Sequence, residues 1–243
     1  MLAVLPQYDC QSVTTVPMCS RYSLTLPPEA VRAYFGYRDT PNFPVRYNIA
    51  PTQDIPVVCV DKQGNRIFRL MRWGLLPHFV KDPKAFPTLI NARSEEVLSK
   101  PSFRNAMKWR RCLIPADGFY EWTGPKGAKR PFLLHPRGGE PIAFAGTYER
   151  WKDGEGGHLD TVTILTCPAN AVVTPLHDRM PVVLPPEHFE AWLDVEGTEG
   201  KDAVTLLRPA PEELFEAVEL DPKINNSKLD EIGIQEPLQG QLL

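Results

Sequence analysis

The chain has 243 residues, of which 42% are hydrophobic and 23% charged, and its formal net charge is -3. That length can bury the core of one large domain or two small ones, and we expect one. No apolar run is long enough for a membrane helix, and residues 1–17 contain no Lys or Arg, so they lack the basic region of a secretory signal. The sequence therefore predicts a cytoplasmic protein without a membrane segment.

Short apolar segments separated by turn-forming residues dominate the chain. A helix is predicted at 27–36, where two prolines precede the first turn. Two strands follow, joined by the hairpin turn "KQGN", and further strands alternate with glycine-rich loops. In chain order the predicted strands are 55–61, 66–73, 111–115, 131–135, 141–151, 159–166, 179–184 and 214–220, with helices at 94–100, 185–193 and 201–207.

This order of elements predicts an α+β fold: one β-rich domain with a mainly antiparallel, barrel-like sheet and short peripheral helices. We place the domain at residues 18–225. Residues 1–17 are expected to be an extension that is absent from, or removed in, the native protein. Residues 226–243 have weak periodicity and are expected to form a tail.

The five cysteines are an odd number and contain no C-x-x-C pair, which excludes a disulfide framework and a zinc ribbon. The histidines have no paired spacing, and no glycine-rich phosphate loop is present, so we expect no metal and no cofactor. Cys59, Cys112 and Cys167 lie in or beside apolar runs and are expected to be buried thiols. A papain-like pairing of Cys167 with His177 stays open as a minor alternative. Cys19, directly after Met18, is the cysteine without an obvious structural reason.

Charge is distributed unevenly along the sequence. Residues 62–130 hold 15 Lys and Arg against 5 Asp and Glu, which leaves 12 basic and 25 acidic residues elsewhere. Cations with aromatic rings between them are what a groove for single-stranded nucleic acid needs. Solvated strand faces over an aromatic core would give the same composition, and charge counting alone does not separate the two. The interleaved aromatic residues are Trp73, Phe79, Phe103 and Trp109.

Three polar residues interrupt apolar segments. Asn91 follows an apolar run, Glu121 lies within "GFYEW", and His177 precedes a predicted strand. Burial would raise the pKa of Glu121 and suit it to proton transfer near neutral pH. Taken singly, each has a plain alternative as a cap, a surface acid or a charged turn.

Cys19 gains a distinctive chemistry if translation starts at Met18 and that methionine is removed. A free α-amine then stands beside the thiol, and on the order of a tenth of it is neutral at pH 7. The amine condenses with an aldehyde to an imine, and the thiol closes on the imine carbon to give a thiazolidine. The ring-opened abasic site of DNA is the aldehyde that a basic, aromatic groove would present.

Nine blocks in order carry a resemblance to a known family. Read from Met18, they are "MCSRYSL", "RYNIAPTQ", "RWGLLPHFVKD", "INARSEE", "RRCLIPADGFYEW", "PFLL", "AFAGTYERW", "TILTCPAN" and "LHDRMPVVL". Together, over about residues 18–220, they resemble the SOS response-associated peptidase family. The resemblance implies a DNA-damage protein, associated with the nucleoid when bound, that crosslinks to abasic sites in single-stranded DNA with lyase-like chemistry.

The same resemblance implies a role for each matching residue. Cys19 would be the N-terminal nucleophile, Asn91 would hold its amine, and Glu121 would shuttle protons. His177 would contact the opened sugar and assist the proton transfers. The residues expected to contact DNA are Arg21, Arg93, Trp73, Phe79 and Arg104.

Two departures from the family pattern are visible. Ser20 stands where the family usually has glycine, and it would be strained if the backbone there needs a positive φ. Phe79 lies where many members carry tryptophan, so it would stack less broadly.

Two other functions remain open. The chain could be a cysteine-type autopeptidase (a hydrolase) that removes its own prefix before Cys19, as the family name suggests. It could also be a non-catalytic binder of single-stranded or modified DNA. In either case we expect a monomer.

Overall fold

A computed structural model describes residues 19–238; the predicted extension at 1–17 and residues 239–243 of the predicted tail lie outside the described residues. The described chain folds into short strands with small helices between them. The strands are β1 (Tyr22–Leu24), β2 (Arg46–Ile49), β3 (Asp54–Val60), β4 (Arg66–Trp73), β5 (Asn91–Arg93), β6 (Arg111–Ala116), β7 (Gly118–Thr123), β8 (Arg130–Pro136), β9 (Ile142–Lys152), β10 (His158–Pro168), β11 (Arg179–Pro181), β12 (Val183–Leu184) and β13 (Phe215–Glu219). The helices are α1 (Pro28–Phe35), α2 (Pro101–Trp109), α3 (Phe189–Leu193) and α4 (Gly200–Ala203), with short 3₁₀ turns at Pro186–His188, Val204–Leu206, Glu212–Leu214 and Pro222–Asn225.

Five strands close into a barrel. In the larger sheet the strands run β11-β10-β4-β3-β6-β9-β12, and an additional pairing of β9 with β10 joins β10, β4, β3, β6 and β9 into a ring. The strand β3 is buried on both faces, which explains its nearly continuous apolar sequence "IPVVCV". The hairpin to β4 is closed by Asp61, whose carboxylate accepts hydrogen bonds from the backbone N–H groups of Gln63 and Asn65.

A second sheet packs against this barrel, with the strand order β13-β8-β7-β1-β2. Tyr22 of β1 and Phe119 of β7 pair across the sheet, and both rings meet Phe144 of the barrel, at centroid distances of 5.7 and 6.2 Å. The main hydrophobic core therefore lies between the barrel and the second sheet. The predicted α+β fold, mainly antiparallel and barrel-like with short peripheral helices, is confirmed.

One predicted helix is wrong. Residues 94–100 form turns, and the helix is instead α2, which begins at Pro101. Lys100 has an extended backbone because a residue that precedes proline is excluded from the helical region, so a helix cannot run through it. Phe103, Ala106 and Met107 form the buried side of α2.

Residues 226–238 of the predicted tail pack against the second sheet. Asp230 accepts hydrogen bonds from the backbone N–H groups of Tyr47, at 2.6 Å, and Asn48, at 3.0 Å, and also pairs with the Arg46 guanidinium. Ile234 is buried in a small apolar cluster with Tyr120. This part of the chain therefore contributes to the wall beside β1 and β7. Within residues 19–238, no helix has both the length and the apolar character needed to span a bilayer.

Candidate active site

Cys19 lies immediately before β1, and the pairing of β1 with β7 brings it to Glu121. Tyr22 pairs with Phe119. One residue earlier in β1's direction, the carbonyl of Arg21 accepts a hydrogen bond from the backbone N–H of Tyr120 at 3.1 Å, so the two segments stay paired up to Arg21. The backbone nitrogen of Cys19 then donates to Oε1 of Glu121 at 2.8 Å. This contact joins two residues that are 102 positions apart in the chain, and both are buried.

Glu121 is a buried carboxyl group, only 1% exposed. Burial raises its pKa to about 8, and the negative charge of Asp178 adds to that rise. The N–H groups of Cys19 and Trp122 act in the other direction because they stabilise the carboxylate. Glu121 can therefore both accept and release a proton near neutral pH, as the sequence analysis expected of a buried carboxyl here.

The Cys19 thiol is held in its neutral form. Burial, and then the nearby Glu121 carboxyl, raise the pKa of this thiol well above its ordinary value. A neutral thiol is a weak first nucleophile, but it can add across a preformed imine by transferring its proton. The pair at this site thus favours attack by nitrogen before sulfur, provided that the Cys19 nitrogen is an amine.

His177 lies in the turn before β11, beside two charged residues. Its Nδ1 is 2.8 Å from Oδ1 of Asp178 and also accepts a hydrogen bond from the backbone N–H of Arg179 at 3.1 Å. Asp178 is close enough to raise the pKa of Glu121. His177 is therefore in contact with a carboxylate, Asp178, whose charge acts on Glu121.

Asn91 and Arg93 lie on the short strand β5, which pairs in parallel with the end of β10. Asn91 lies opposite Ile164 and Arg93 opposite Thr166. On the other side of β10, β11 begins at Arg179. The end of β10 therefore carries Asn91 and Arg93 on one side and the His177 turn on the other, with Asn91 partly buried and Arg93 exposed.

Asp178 and Arg179, the next two residues after His177, both contact its ring in the structure. The Arg179 guanidinium forms a two-point contact with Glu95, at 2.9 and 2.8 Å, and donates to the carbonyl of Thr166 at 2.7 Å. The signal that could have found them is the run "HDR", in which a histidine has a carboxylate and a guanidinium as its next two residues.

Arg21, one of the predicted phosphate contacts, is partly engaged by the protein itself. Its guanidinium donates to Oδ1 of Asn48 at 2.8 Å and to the carbonyl of Ile224 at 3.5 Å, and it lies 5.8 Å from the Trp122 ring centroid. Because a guanidinium has five N–H donors, others remain for a ligand. Arg21 is therefore oriented by the second sheet rather than extended into solvent.

The predicted aromatic contacts differ sharply in exposure. Phe79 is 49% exposed and meets the edge of Phe86. Trp109, also exposed, carries the Lys108 ammonium 4.6 Å from its ring centroid. Exposed rings of this kind can stack on unpaired bases. Arg104 is exposed on α2, and within residues 19–238 its guanidinium forms no hydrogen bond or ion pair.

The prediction that Trp73 forms a wall for DNA bases is wrong. Its side chain has no exposed surface. The indole N–H donates to the carbonyl of Ile90 at 2.9 Å, and the ring packs edge-on against Tyr22. Trp73 is a large apolar residue at the end of β4, where the barrel meets the second sheet, and burial there satisfies its N–H.

The strain expected at Ser20 is also misplaced. Among the non-glycine residues in 19–238, only Cys19, at φ 38°, and Thr52, at φ 73°, have a positive φ. Ser20 therefore fits without strain, and the unfavourable backbone falls on Cys19 itself. A positive φ for a residue with a side chain costs on the order of 1–2 kcal/mol.

The other described cysteines are structural. Cys59, Cys112 and Cys167 are buried, as expected, and burial raises the pKa of Cys59 to about 11 and that of Cys167 to about 12. A thiol with so high a pKa is a poor nucleophile, so the papain-like pairing with His177 has no support. Across residues 19–238, His, Cys, Asp and Glu side chains form no group of three that could hold a metal ion.

Comparison with known proteins identifies a matching family and related chains. Residues 18–227 match the family model described as SOS response associated peptidase (SRAP). The abasic site processing protein YoqW of Bacillus subtilis is 41% identical over 184 residues, which cover 75% of this chain and 81% of the relative. The abasic site processing protein HMCES of Gallus gallus is 32% identical over 245 residues, covering 83% and 73%.

A similar fold is known from a solved structure. A crystal structure of a protein from Bacteroides thetaiotaomicron matches with a TM-score of 0.75 at 23% identity, covering 86% of this chain and 99% of that one. This structural similarity supports the fold, whereas the family model and the sequence relatives establish the family. The chain therefore belongs to the SOS response associated peptidase family.

Proposed function

We propose that this protein, once its chain begins at Cys19, binds single-stranded DNA and traps abasic sites as a thiazolidine crosslink that shields the lesion. The observation that carries the proposal is the contact of 2.8 Å between the Cys19 nitrogen and the buried Glu121 carboxyl. Relatives that are 41% and 32% identical to this chain over the aligned residues are named abasic site processing proteins, which supports the substrate class.

The chemistry follows from the two groups of Cys19. Its neutral amine adds to the aldehyde carbon of the opened sugar, and loss of one water gives an imine. The Sγ–H then adds across the C=N bond, so that sulfur bonds to carbon and the proton passes to nitrogen, closing a five-membered ring. Glu121, whose pKa burial raises, is suited to move the protons of these steps. The same steps in reverse, with water returned, release the DNA.

The surface around the site favours an unpaired strand. Arg93 and Phe79 are exposed, and Arg21, two residues after Cys19, is oriented by its hydrogen bond to Asn48. Cations bind phosphates, and an exposed ring stacks on bases without reading their sequence. A recessed nucleophile also reaches an aldehyde in a single strand without the cost of unpairing a duplex.

The direct test compares protein that starts at Cys19 with the full 243-residue chain. Each is mixed with a single-stranded oligonucleotide that contains one abasic site, and the products are analysed by denaturing gel and intact mass. We expect the Cys19-terminal protein to give a covalent species with the summed mass less one water. The full chain should give none while its prefix is intact by mass, because its Cys19 nitrogen is then an amide.

Two controls make this test specific. Cys19→Ala should remove the denaturation-resistant species, since an imine without the thiol hydrolyses. An oligonucleotide whose abasic site is a tetrahydrofuran analogue lacks the aldehyde and should bind without crosslinking. The proposal fails if a verified Cys19-terminal protein gives no covalent product with the aldehyde-bearing strand.

A second candidate function is autoproteolysis before Cys19, and the backbone there favours it. The positive φ of Cys19 exists only while the peptide bond from residue 18 is present, so cutting that bond relieves the strain. In the reaction, Sγ attacks the carbonyl carbon of residue 18 and the amide nitrogen takes the thiol proton, leaving a thioester. Water then hydrolyses the thioester, which releases the prefix acid and restores the thiol.

Intact-mass measurement of the purified full chain tests this candidate. We expect the unmutated chain to lose residues 1–18 over time, and Glu121→Gln and His177→Gln to retain them, because both supply proton transfer. An exposed acid on α4 provides a control, Asp202→Asn, that should lose the prefix at the normal rate. Retention of the prefix by all four proteins would rule autoproteolysis out.

A further inference from the structure

Nδ1 of His177 lies within hydrogen-bond distance of two groups, one of which needs a proton on Nδ1 while the other needs a lone pair there. Nδ1 of His177 lies 2.8 Å from Oδ1 of Asp178 and 3.1 Å from the backbone nitrogen of Arg179. The carboxylate needs a proton on Nδ1, whereas the backbone N–H needs a lone pair there. The ring can therefore meet only one of these partners at a time when it is neutral.

The surroundings hold one partner in place and leave the other mobile. Arg179 is anchored by its guanidinium contacts with Glu95 and with the Thr166 carbonyl, so its backbone N–H stays fixed. The carbonyl of Asp178 accepts a hydrogen bond from the Ala169 N–H at 3.0 Å, which fixes its backbone. Its side chain, by contrast, is 86% exposed and can rotate toward or away from the ring.

We propose that Asp178 is a positioning residue that selects the tautomer of His177. When the carboxylate faces Nδ1, the ring carries its proton there and Nε2 presents a lone pair that accepts protons. When the carboxylate rotates into solvent, Nδ1 accepts from the Arg179 N–H and Nε2 carries the proton and donates it. The proton count of the ring is the same in both states, and only its place changes.

The tautomer of His177 matters for the crosslinking reaction, so this part of the inference rests on the proposed function. Addition of an amine to an aldehyde requires a proton to leave nitrogen, and loss of water requires a proton to arrive at oxygen. A histidine fixed in one tautomer serves only one of these directions at Nε2. The two contacts at Nδ1 let the same ring serve both, with Asp178 deciding which form is present.

Three substitutions separate the tautomer from simple charge. Asp178→Ala removes both the acceptor for Nδ1–H and the negative charge that faces Glu121. Asp178→Asn keeps an acceptor oxygen but removes the charge. Asp178→Glu keeps both. Asp202→Ala on α4 removes a comparable exposed charge outside the site and is the matched control.

The first measurement is a ¹⁵N NMR spectrum of the full chain with ¹⁵N-labelled histidines. The His177 signals are those that disappear in His177→Gln. We expect Asp178→Ala to shift His177 toward the Nε2–H form and Asp178→Glu to restore the original population. Asp178→Asn should lie between them, and Asp202→Ala should change nothing. An identical tautomer population in Asp178→Ala and in the unmutated chain overturns the proposal.

The second measurement is the rate of crosslinking by the Cys19-terminal forms. We expect Asp178→Ala to slow it about tenfold, a small part of the ~10²–10⁴-fold that a positioned acid or base contributes. Across the series the rate should follow the tautomer population. If Ala and Asn slow the reaction equally, the charge on Glu121 is the cause and the proposal is wrong.

The two measurements also keep this inference apart from the proposed function. If no variant crosslinks at all, the proposed function fails, while the NMR series still decides whether Asp178 sets the tautomer. If the tautomer shifts and the rate of a crosslinking protein does not, Asp178 selects the ring form without serving the reaction, and its role as a positioning residue is refuted.

Discussion

Two buried glutamates lie on either side of the same residue in the second sheet, but their pKa values are shifted in opposite directions. Glu121 of β7 and Glu219 of β13 pair with the same residue, Phe132 of β8, from its two sides. They are 1% and 4% exposed. Yet burial raises the pKa of Glu121 to about 8, whereas the contact with Arg130 lowers the pKa of Glu219.

Burial is the main cause of the raised pKa of Glu121, whereas the contact with Arg130 is the main cause of the lowered pKa of Glu219. Glu219 receives two hydrogen bonds from the Arg130 guanidinium, at 2.6 and 2.5 Å. Glu121 receives hydrogen bonds from the backbone nitrogens of Cys19 and Trp122, which are neutral donors in the full chain. A carboxyl group held by a cation stays ionised, whereas one that is buried without a cation titrates near neutral pH. The same row of the sheet therefore holds an ionised acid, paired with Arg130, and a titrating acid whose pKa is raised by burial.

The largest expected effect comes from removing the titrating acid. Glu121→Gln keeps the shape of the side chain and an oxygen that can accept from the Cys19 nitrogen, but it cannot take up or release a proton. We expect the rate of crosslinking by the Cys19-terminal protein to fall by ~10²–10⁴-fold. Timed denaturing gels with an abasic single strand measure it.

Glu219→Gln is the matched control, since it changes the same group in the same row. It should leave the crosslinking rate unchanged. If the two substitutions slow the reaction equally, the effect belongs to the sheet as a whole, and Glu121 has no special role in proton transfer.

The second prediction concerns stability and pH. An unfolded glutamate ionises near its ordinary pKa of 4.5, whereas Glu121 in the folded chain keeps its proton until about pH 8. Between these values the folded state binds more protons than the unfolded state, so the free energy of unfolding falls as pH rises. The full loss is on the order of 4 kcal/mol, and Glu121→Gln should not show it.

Urea unfolding at several pH values between 4.5 and 9 measures this loss. The unmutated full chain should lose stability relative to Glu121→Gln across that range and no further above it. In protein that starts at Cys19, the α-ammonium replaces the neutral amide donor and lowers the pKa of Glu121, so the loss should be smaller. Equal pH profiles for Glu121→Gln and the unmutated full chain would contradict the raised pKa.

Part of this picture was readable in the sequence. The apolar segments of β3, β4, β9 and β10 gave their strands, and the desolvating neighbours of Glu121 predicted its raised pKa. The strands β1, β2 and β5 were missed because three or four residues carry no periodicity that a single sequence displays, and β7 was missed although it has six residues. Those strands are the ones that place Cys19, Asn91 and Glu121.

The errors at the site have the same physical origin. Trp73 stands among cations in the sequence, but the end of β4 turns it into the core, and composition does not reveal which face of a strand is buried. The strain assigned to Ser20 falls one residue earlier, on Cys19, because backbone angles depend on how the chain enters β1. The role of Asp178 required the distance to Nδ1 of His177, which sequence adjacency does not give.

The third prediction tests the structural glutamate. Because the pKa of Glu219 is lowered in the folded protein, its pair with Arg130 contributes stability above the ordinary glutamate pKa, and this contribution is lost as pH falls through the folded value. Glu219→Gln should therefore lower Tm at pH 7 and have less effect at pH 3. Scanning calorimetry at both pH values measures this change, and it has the opposite pH dependence to that of Glu121→Gln. A Tm difference that is larger at pH 3 would show that the arginine contact is not its source.

The smallest expected effect is at Phe132, the residue between the two acids. Its ring lies 5.6 Å from the centre of the Arg130 guanidinium, so Phe132→Leu removes this cation–π contact while leaving both hydrogen bonds from Arg130 to Glu219. We expect a Tm decrease smaller than that of Glu219→Gln, and an unchanged pH profile of crosslinking. If that pH profile moves, the two carboxyl groups influence each other across β8, and the arginine that neutralises Glu219 also helps to set the proton affinity of Glu121.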